Sequence, residues 1–205
     1  MPHFSARYWM CCLLLLVLAG CGGKVKLQPL PQDAVILAFG DSLTFGTGAT
    51  IDTSYPSELS RLINRRVENR GVPGDTTADG LGRFAAALDE VSPNLVVLCL
   101  GGNDFLQKKP ESETIANLRA MLDEAKRRKL PVVLVAPPRL GFGLETPPFY
   151  EELAKEYELV LEDNALAGIL SQSKLKSDPI HPNAEGYRQL AEAVAKVLRK
   201  SGALG

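Results

Sequence analysis

Three apolar runs of strand length, separated by amphipathic stretches, constrain this chain more than any other feature. Residues 34–39 (AVILAF), 94–100 (NLVVLCL) and 131–136 (PVVLVA) are apolar at nearly every position. A strand that is apolar on both faces has no side to offer water. Such strands fit a parallel sheet covered by helices above and below. Residues 159–161 add a weaker fourth run and 67–69 a marginal fifth. The intervening segments follow the helical period. Leu59, Leu62 and Ile63 share one face after a start signal of Ser54 and Pro56. Leu81, Phe84, Ala85, Leu88 and Val91 form a second stripe, and Ile115, Leu118, Leu122 and Ala125 a third. Tyr187, Leu190, Ala191, Val194, Val197 and Leu198 form a fourth, with Asn183 as its N-cap. Strand–helix alternation with short connections predicts one doubly wound α/β domain.

The N-terminus stands apart from this pattern. Arg7 precedes a ten-residue apolar run at 10–19 (MCCLLLLVLA), which is too short to span a bilayer as a helix. A positive end followed by a short apolar run reads as a secretory signal. The run closes in Leu18-Ala19-Gly20-Cys21, which resembles the bacterial lipobox, where cleavage precedes a cysteine that is then lipidated. The expected layout is a signal peptide at 1–20, a lipidated Cys21 with a flexible tether through residue 32, and one domain at 33–205. Acyl chains would hold the domain to a membrane without crossing it. That puts it in the bacterial cell envelope, periplasm-facing or on the cell surface.

Removing 1–20 changes the chemistry available. The mature chain carries 22 basic and 24 acidic residues, so no positive excess points to nucleic acid. Cys21 and Cys99 remain, one for acylation and one inside an apolar run, so no disulfide is expected. His181 is the one histidine left, which excludes a metal site built on several imidazoles. Residues 126–129 (KRRK) close a predicted helix, where cations suit the helix dipole.

Chemistry-bearing residues gather where strands end. The first run leads into Gly40-Asp41-Ser42-Leu43, a turn that can expose the Ser42 hydroxyl at the carboxyl edge of the sheet. A serine nucleophile needs a base and a group to hold that base. Asp178-Pro179-Ile180-His181 offers both, with Asp178 able to fold back onto the imidazole. Gly101-Gly102-Asn103-Asp104 follows another strand and presents the Asn103 amide to a developing oxyanion. Gly74, in the loop after the marginal strand, can aim its backbone N–H at the same point. Each segment alone also fits a plain turn. Together they fill every role of a serine hydrolase.

GDSL at 40–43, the Gly74-Asp75-Thr76 block, GGND at 101–104 and DxxH at 178–181 resemble the four blocks of the SGNH/GDSL hydrolases, in that family's order. The resemblance covers roughly 36–200. It implies a flavodoxin-like three-layer α/β/α sandwich on a five-stranded parallel sheet. It also implies Ser42 as nucleophile, an oxyanion hole of Ser42, Gly74 and Asn103, and Asp178–His181 completing the triad, with no metal or cofactor. PGDTT at 73–77 is similar to the thioesterase/lysophospholipase/arylesterase branch, many of whose members are soluble rather than tethered.

The expected activity is hydrolysis of carboxylic esters or thioesters by a monomer. Phe105, Leu106, Leu140, Phe142, Leu144 and Phe149 lie on loops beside the site and are expected to line an apolar acyl groove suited to lysophospholipids or fatty acyl esters. The loop 137–149, with four prolines and two glycines, sits at a strand's carboxyl end, where such sheets place ligands. The alternatives are a carbohydrate O-acetyl esterase acting on envelope glycan and a non-catalytic ligand-binding lipoprotein. Nucleotide binding is disfavoured, since neither G-x-G-x-x-G nor a P-loop occurs.

Overall fold

A computed structural model describes residues 25–140 and 143–204. The proposed signal peptide, Cys21 and Phe142 lie outside the described residues. The strands are β1 (Val35–Gly40), β2 (Arg66–Gly71), β3 (Leu95–Cys99), β4 (Val132–Val135) and β5 (Val160–Glu162). They form one sheet in the order β2-β1-β3-β4-β5, and every pairing is parallel. The helices are α1 (Ser42–Phe45), α2 (Tyr55–Ile63), α3 (Thr77–Val91), α4 (Gly102–Leu106), α5 (Glu111–Arg127), α6 (Phe149–Glu156), α7 (Ala165–Leu170) and α8 (Ala184–Ser201).

The two-faced character of the strands is realised residue by residue. Ile36 and Ala38 of β1 point into one core, with Tyr55 and Leu59 of α2 and the stripe of α8. Leu37 and Phe39 point into the other, with Phe84 of α3, Leu118, Met121 and Leu122 of α5, and Leu153 of α6. This makes three layers, as expected. On α8, Tyr187, Leu190, Ala191, Val194 and Leu198 are fully buried, and Asn183 caps the helix by accepting from the Gly186 amide. Burying a large apolar side chain contributes about 1.5–3 kcal/mol, so this stripe is a principal support of its layer.

Several expectations need correcting. β2 is longer than its marginal apolar signal and reads RVENRG, half-exposed through most of its length. It is an edge strand paired only with β1, so charged side chains are tolerated there. Leu62 is 39% exposed and does not share the buried face of Leu59 and Ile63. Ser54 precedes α2 without a side-chain capping bond; Pro56 in the first turn supplies the start. On α3, Ala87 is buried while Ala85 is exposed.

Residues 25–32, expected as free tether, instead lie against the domain. The Leu27 amide donates to Ser201 O at 2.8 Å and the Leu30 amide to Ala203 O at 2.9 Å. Val25, Leu27 and Leu30 pack on the α8 core, which offsets the entropy of ordering the segment. This segment borders Asn94 and Pro131, the residues leading into β3 and β4, so it sits at the amino ends of the strands. In the basic cluster, Arg127 and Arg128 pair with Glu124, and Arg128 also pairs with Asp89 at 2.5 Å. Lys126 and Arg127 occupy the last turn of α5, where cations meet its carbonyl end. Among the described residues no helix is long and apolar enough to cross a membrane.

Candidate active site

The strand order reverses between β1 and β3, which carry the chain away from each other on opposite sides of the sheet. Doubly wound sheets leave a crevice at the carboxyl ends beside such a switch point. Ser42 stands immediately after β1, and Asn103 lies just beyond β3 on α4. Gly40 allows the tight exit toward Ser42. A Cβ there would lie 2.2 Å from Cys99 O and 2.3 Å from Thr44 Oγ1.

His181 reaches the same place from the loop before α8. Its Nε2 is 2.9 Å from Ser42 Oγ, and its Nδ1 is 2.8 Å from Asp178 Oδ2. The Asp178 side chain is 43% exposed, and its slight desolvation alone would raise its pKa. Hydrogen bonds from the His181 ring and from the Ile180 and His181 amides outweigh this and hold it below the ordinary value. An ionised carboxylate only accepts, so Nδ1 carries the proton and Nε2 is left to take one from Ser42. The loop is fixed by its own backbone: the Ser177 amide donates to His181 O at 3.0 Å and Asn183 N to Leu175 O at 2.9 Å.

Asp41, Ser42, Leu43, Gly102, Asn103, Leu106, Pro137, Pro138, Leu140, Leu170, Ile180 and His181 line a small hollow of about 30 Å³ that opens to solvent. Asn103 Nδ2 donates to Asp75 O at 2.8 Å and lies 3.4 Å from Asp41 Oδ2. The two contacts fix the Asn103 amide in the wall of the hollow, beside Ser42. Gly74 is not part of the wall. It sits exposed on the neighbouring turn Val72-Pro73-Gly74-Asp75, closed by Asp75 N donating to Val72 O at 3.2 Å. Its φ of +90° is what a type II turn demands at its third residue, after proline.

The expected acyl groove is realised only in part. Leu106 and Leu140 line the hollow, and Leu106 is 47% exposed. Phe149 does not: it is buried in the core beneath, stacked at 4.3 Å on Tyr150. Phe105 packs against that same core, 6.3 Å from Phe149. Leu144 is half-buried on the far arm of the proline-rich loop and forms no wall. The loop is pinched by Arg139 N donating to Glu145 O at 2.9 Å.

Two buried carboxylates escaped the sequence reading. Asp41 accepts from the Leu43 amide at 2.9 Å and is 1% exposed. Burial pushes its carboxyl up to about 7, opposed by that amide and assisted by the nearby charges of Asp75 and Asp104. Asp104 accepts from the Thr77 amide and hydroxyl at 2.8 and 2.6 Å and from Thr114 Oγ1 at 3.3 Å, joining α4 to α3 and α5. Their motif positions, before Ser42 and after Asn103, were the available signal. Among the described residues no three His, Cys, Asp or Glu side chains cluster to hold a metal ion.

A hydroxyl, an imidazole and a carboxylate in line at the carboxyl edge of a doubly wound sheet define a serine-hydrolase class of site. The chain belongs to the GDSL-like lipase/acylhydrolase family, matching it over residues 38–189. It is 30% identical over 200 residues to Esterase TesA of Pseudomonas aeruginosa, covering 90% of this chain and 97% of that one. It is 31% identical over 176 residues to an arylesterase of Vibrio mimicus, covering 80% and 88%. Thioesterase 1/protease 1/lysophospholipase L1 of Escherichia coli K12 is 29% identical over 172 residues, covering 80% and 83%. A crystal structure of TesA superposes with a TM-score of 0.72 at 27% identity, covering 82% of this chain and 99% of that one. AlinE4, an SGNH-hydrolase family esterase, gives 0.64 at 34% identity, covering 84% and 98%. The five-stranded parallel sandwich is the fold of these relatives, and the chain is an ester hydrolase of their kind.

Proposed function

We propose that Ser42 attacks the carbonyl of a carboxylic ester or thioester whose acyl chain is apolar. The observation that carries this is the unbroken line Asp178–His181–Ser42 at the mouth of a hollow walled by leucine, isoleucine and proline. His181 Nε2 takes the Ser42 proton as the new C–O bond forms. Asp178 stabilises the imidazolium and fixes its tautomer. The tetrahedral oxyanion is met by Asn103 Nδ2 and the backbone amide of Ser42, with the Gly74 amide on the adjoining turn, outside the wall of the hollow, as the third donor. His181 then protonates the departing alcohol or thiol. Water, deprotonated by the same imidazole, releases the acid and restores Ser42.

The family's named activities, arylesterase and thioesterase/lysophospholipase among them, are those of the relatives. The apolar walls and the exposed Leu106 favour a lipid-like acyl group here. A chain-length series of p-nitrophenyl esters tests this. Rising kcat/KM from acetate to longer acyl groups is the expected result; acetate-only turnover marks a glycan O-acetyl esterase instead. Covalent phosphonate labelling mapped to the Ser42 peptide tests the nucleophile, and no mass shift marks a non-catalytic binding protein.

We further propose the lipoprotein form, tethered through Cys21 in the bacterial envelope. Residues 25–32 pack at the amino ends of the strands, opposite the hollow, which supports an orientation with the hollow away from the anchoring membrane. Substrate then arrives from the aqueous side. Incorporation of a fatty-acid label, lost in Cys21→Ser, is the test.

A further inference from the structure

Three strand-end loops must keep register for an oxyanion to be met: the turn from β1 to Ser42, the Val72–Asp75 turn after β2, and the β3–α4 turn bearing Asn103. One side chain that does not touch the hollow joins them. Arg83, in the second turn of α3, donates from Nε to Asp75 Oδ2 at 2.7 Å, from Nη1 to Arg70 O at 2.9 Å and from Nη2 to Gly40 O at 2.7 Å. Its guanidinium lies 4.0 Å from the centroid of the Phe39 ring, which fixes the plane of the fork. Gly40 closes β1, two residues before Ser42, and Arg70 lies at the end of β2. Asp75 in turn accepts Asn103 Nδ2 on its main-chain carbonyl at 2.8 Å. The guanidinium thus holds two of the loops directly and the third through Asp75.

We propose that Arg83 is a positioning residue for oxyanion stabilisation, acting through Asp75 on Gly74 and Asn103. This rests on the hydrolase reading of those two residues. The physical demand is for a fork. The carbonyl of Gly40 accepts the Val72 amide at 3.0 Å and still has a lone pair facing α3, while the Asp75 carboxylate needs a charged partner in a site only 13% exposed. A planar guanidinium meets all three acceptors at fixed angles. The ammonium of lysine, a compact charge on a flexible stem, cannot. Without the fork, β2 keeps its pairing with β1 and the Val72 amide its bond to Gly40 O, but the Asp75 end of the turn loses its side-chain clamp. A displacement of about 1 Å at donors aimed at a transition state costs on the order of 10²-fold in rate. Arg83 makes no hydrogen bond to Ser42, His181 or Asp178.

The test uses Arg83→Ala, Arg83→Lys and Asp75→Asn beside the full-length wild type, with a p-nitrophenyl ester as substrate. The expected result is a kcat lower by roughly 10²-fold in both arginine variants, with KM little changed. Millimolar methylguanidinium restores part of the loss in Arg83→Ala and none in Asn103→Ala. In the double variant Arg83→Ala/Asn103→Ala the losses are not additive, because one acts through the other. A lowered Tm with unchanged kcat, or fully additive losses, overturns the proposal. If Arg83→Ala does not fold, Arg83→Lys and Asp75→Asn carry the same comparison. Wild-type turnover with normal Arg83 variants sinks this inference alone. Absence of wild-type turnover and of Ser42 phosphonylation sinks the hydrolase reading and this inference with it.

Discussion

Ser42 and His181 are 139 positions apart in the chain, and their Oγ and Nε2 atoms lie 2.9 Å apart. That distance is within range for direct proton transfer without a bridging water. The serine comes from the first strand and the histidine from the approach to the last helix, so the catalytic line exists only when both ends of the domain are docked.

Ser42→Ala removes the nucleophile while leaving the buried turn around Asp41 and Leu43 in place. Turnover should fall by roughly 10⁴-fold or more with the Tm little altered. Ester-hydrolysis assays and thermal melts on the same preparation check both halves; activity near the wild-type rate would end the mechanism.

Asn103→Ala deletes a donor from the oxyanion side. The kcat should drop on the order of 10²–10³-fold with KM held, since the contact matters in the transition state. An unchanged kcat takes Asn103 out of the hole.

Asp178→Asn keeps the size of the side chain but replaces an acceptor with an amide that can donate to Nδ1. The imidazole would then present the wrong tautomer to Ser42, and kcat should fall by about 10³–10⁴-fold in a folded protein. Steady-state kinetics with circular dichroism decide it.

Asp41 gives a pH signature in stability. Folding lifts its carboxyl from 3.8 to about 7, so between those values the folded chain keeps a proton the unfolded chain has lost. The stability this group contributes therefore declines as pH rises through that window, and the burial penalty is complete above it. Asp41→Asn removes the titration. The Tm of the variant relative to wild type should rise from pH 4 to about 7 and then level off. A difference constant with pH would falsify this assignment.

Gly40→Ala should destabilise by about 1–3 kcal/mol, because the new methyl meets the main-chain Cys99 carbonyl, which the sheet holds in place. A Tm several degrees lower is the expected reading, and an unchanged one would mean the β1–β3 pairing gives way at its carboxyl end.

Short-range physics was written plainly in the residues. The runs at 34–39, 94–100 and 131–136 are apolar at successive positions, which only a strand covered on both faces satisfies, and β1, β3 and β4 formed there. The α8 stripe and its Asn183 cap are equally local. Asp178 and His181, three residues apart, could be paired from sequence because so short a segment limits where the carboxylate can go. Burial by distant partners was not legible. Phe149 looked like a groove residue until the core closed over it, and Leu62 looked like core until α2 rotated it outward. Residues 25–32 looked free until the end of α8 offered them carbonyls. The fork of Arg83, with acceptors 43, 13 and 8 residues away, has no sequence signature at all. Periodicity and turn chemistry act between near neighbours and are recorded in the order of residues. Which surfaces cover one another is decided only when the layers pack, and it was packing that chose the walls of the hollow and the braces behind it.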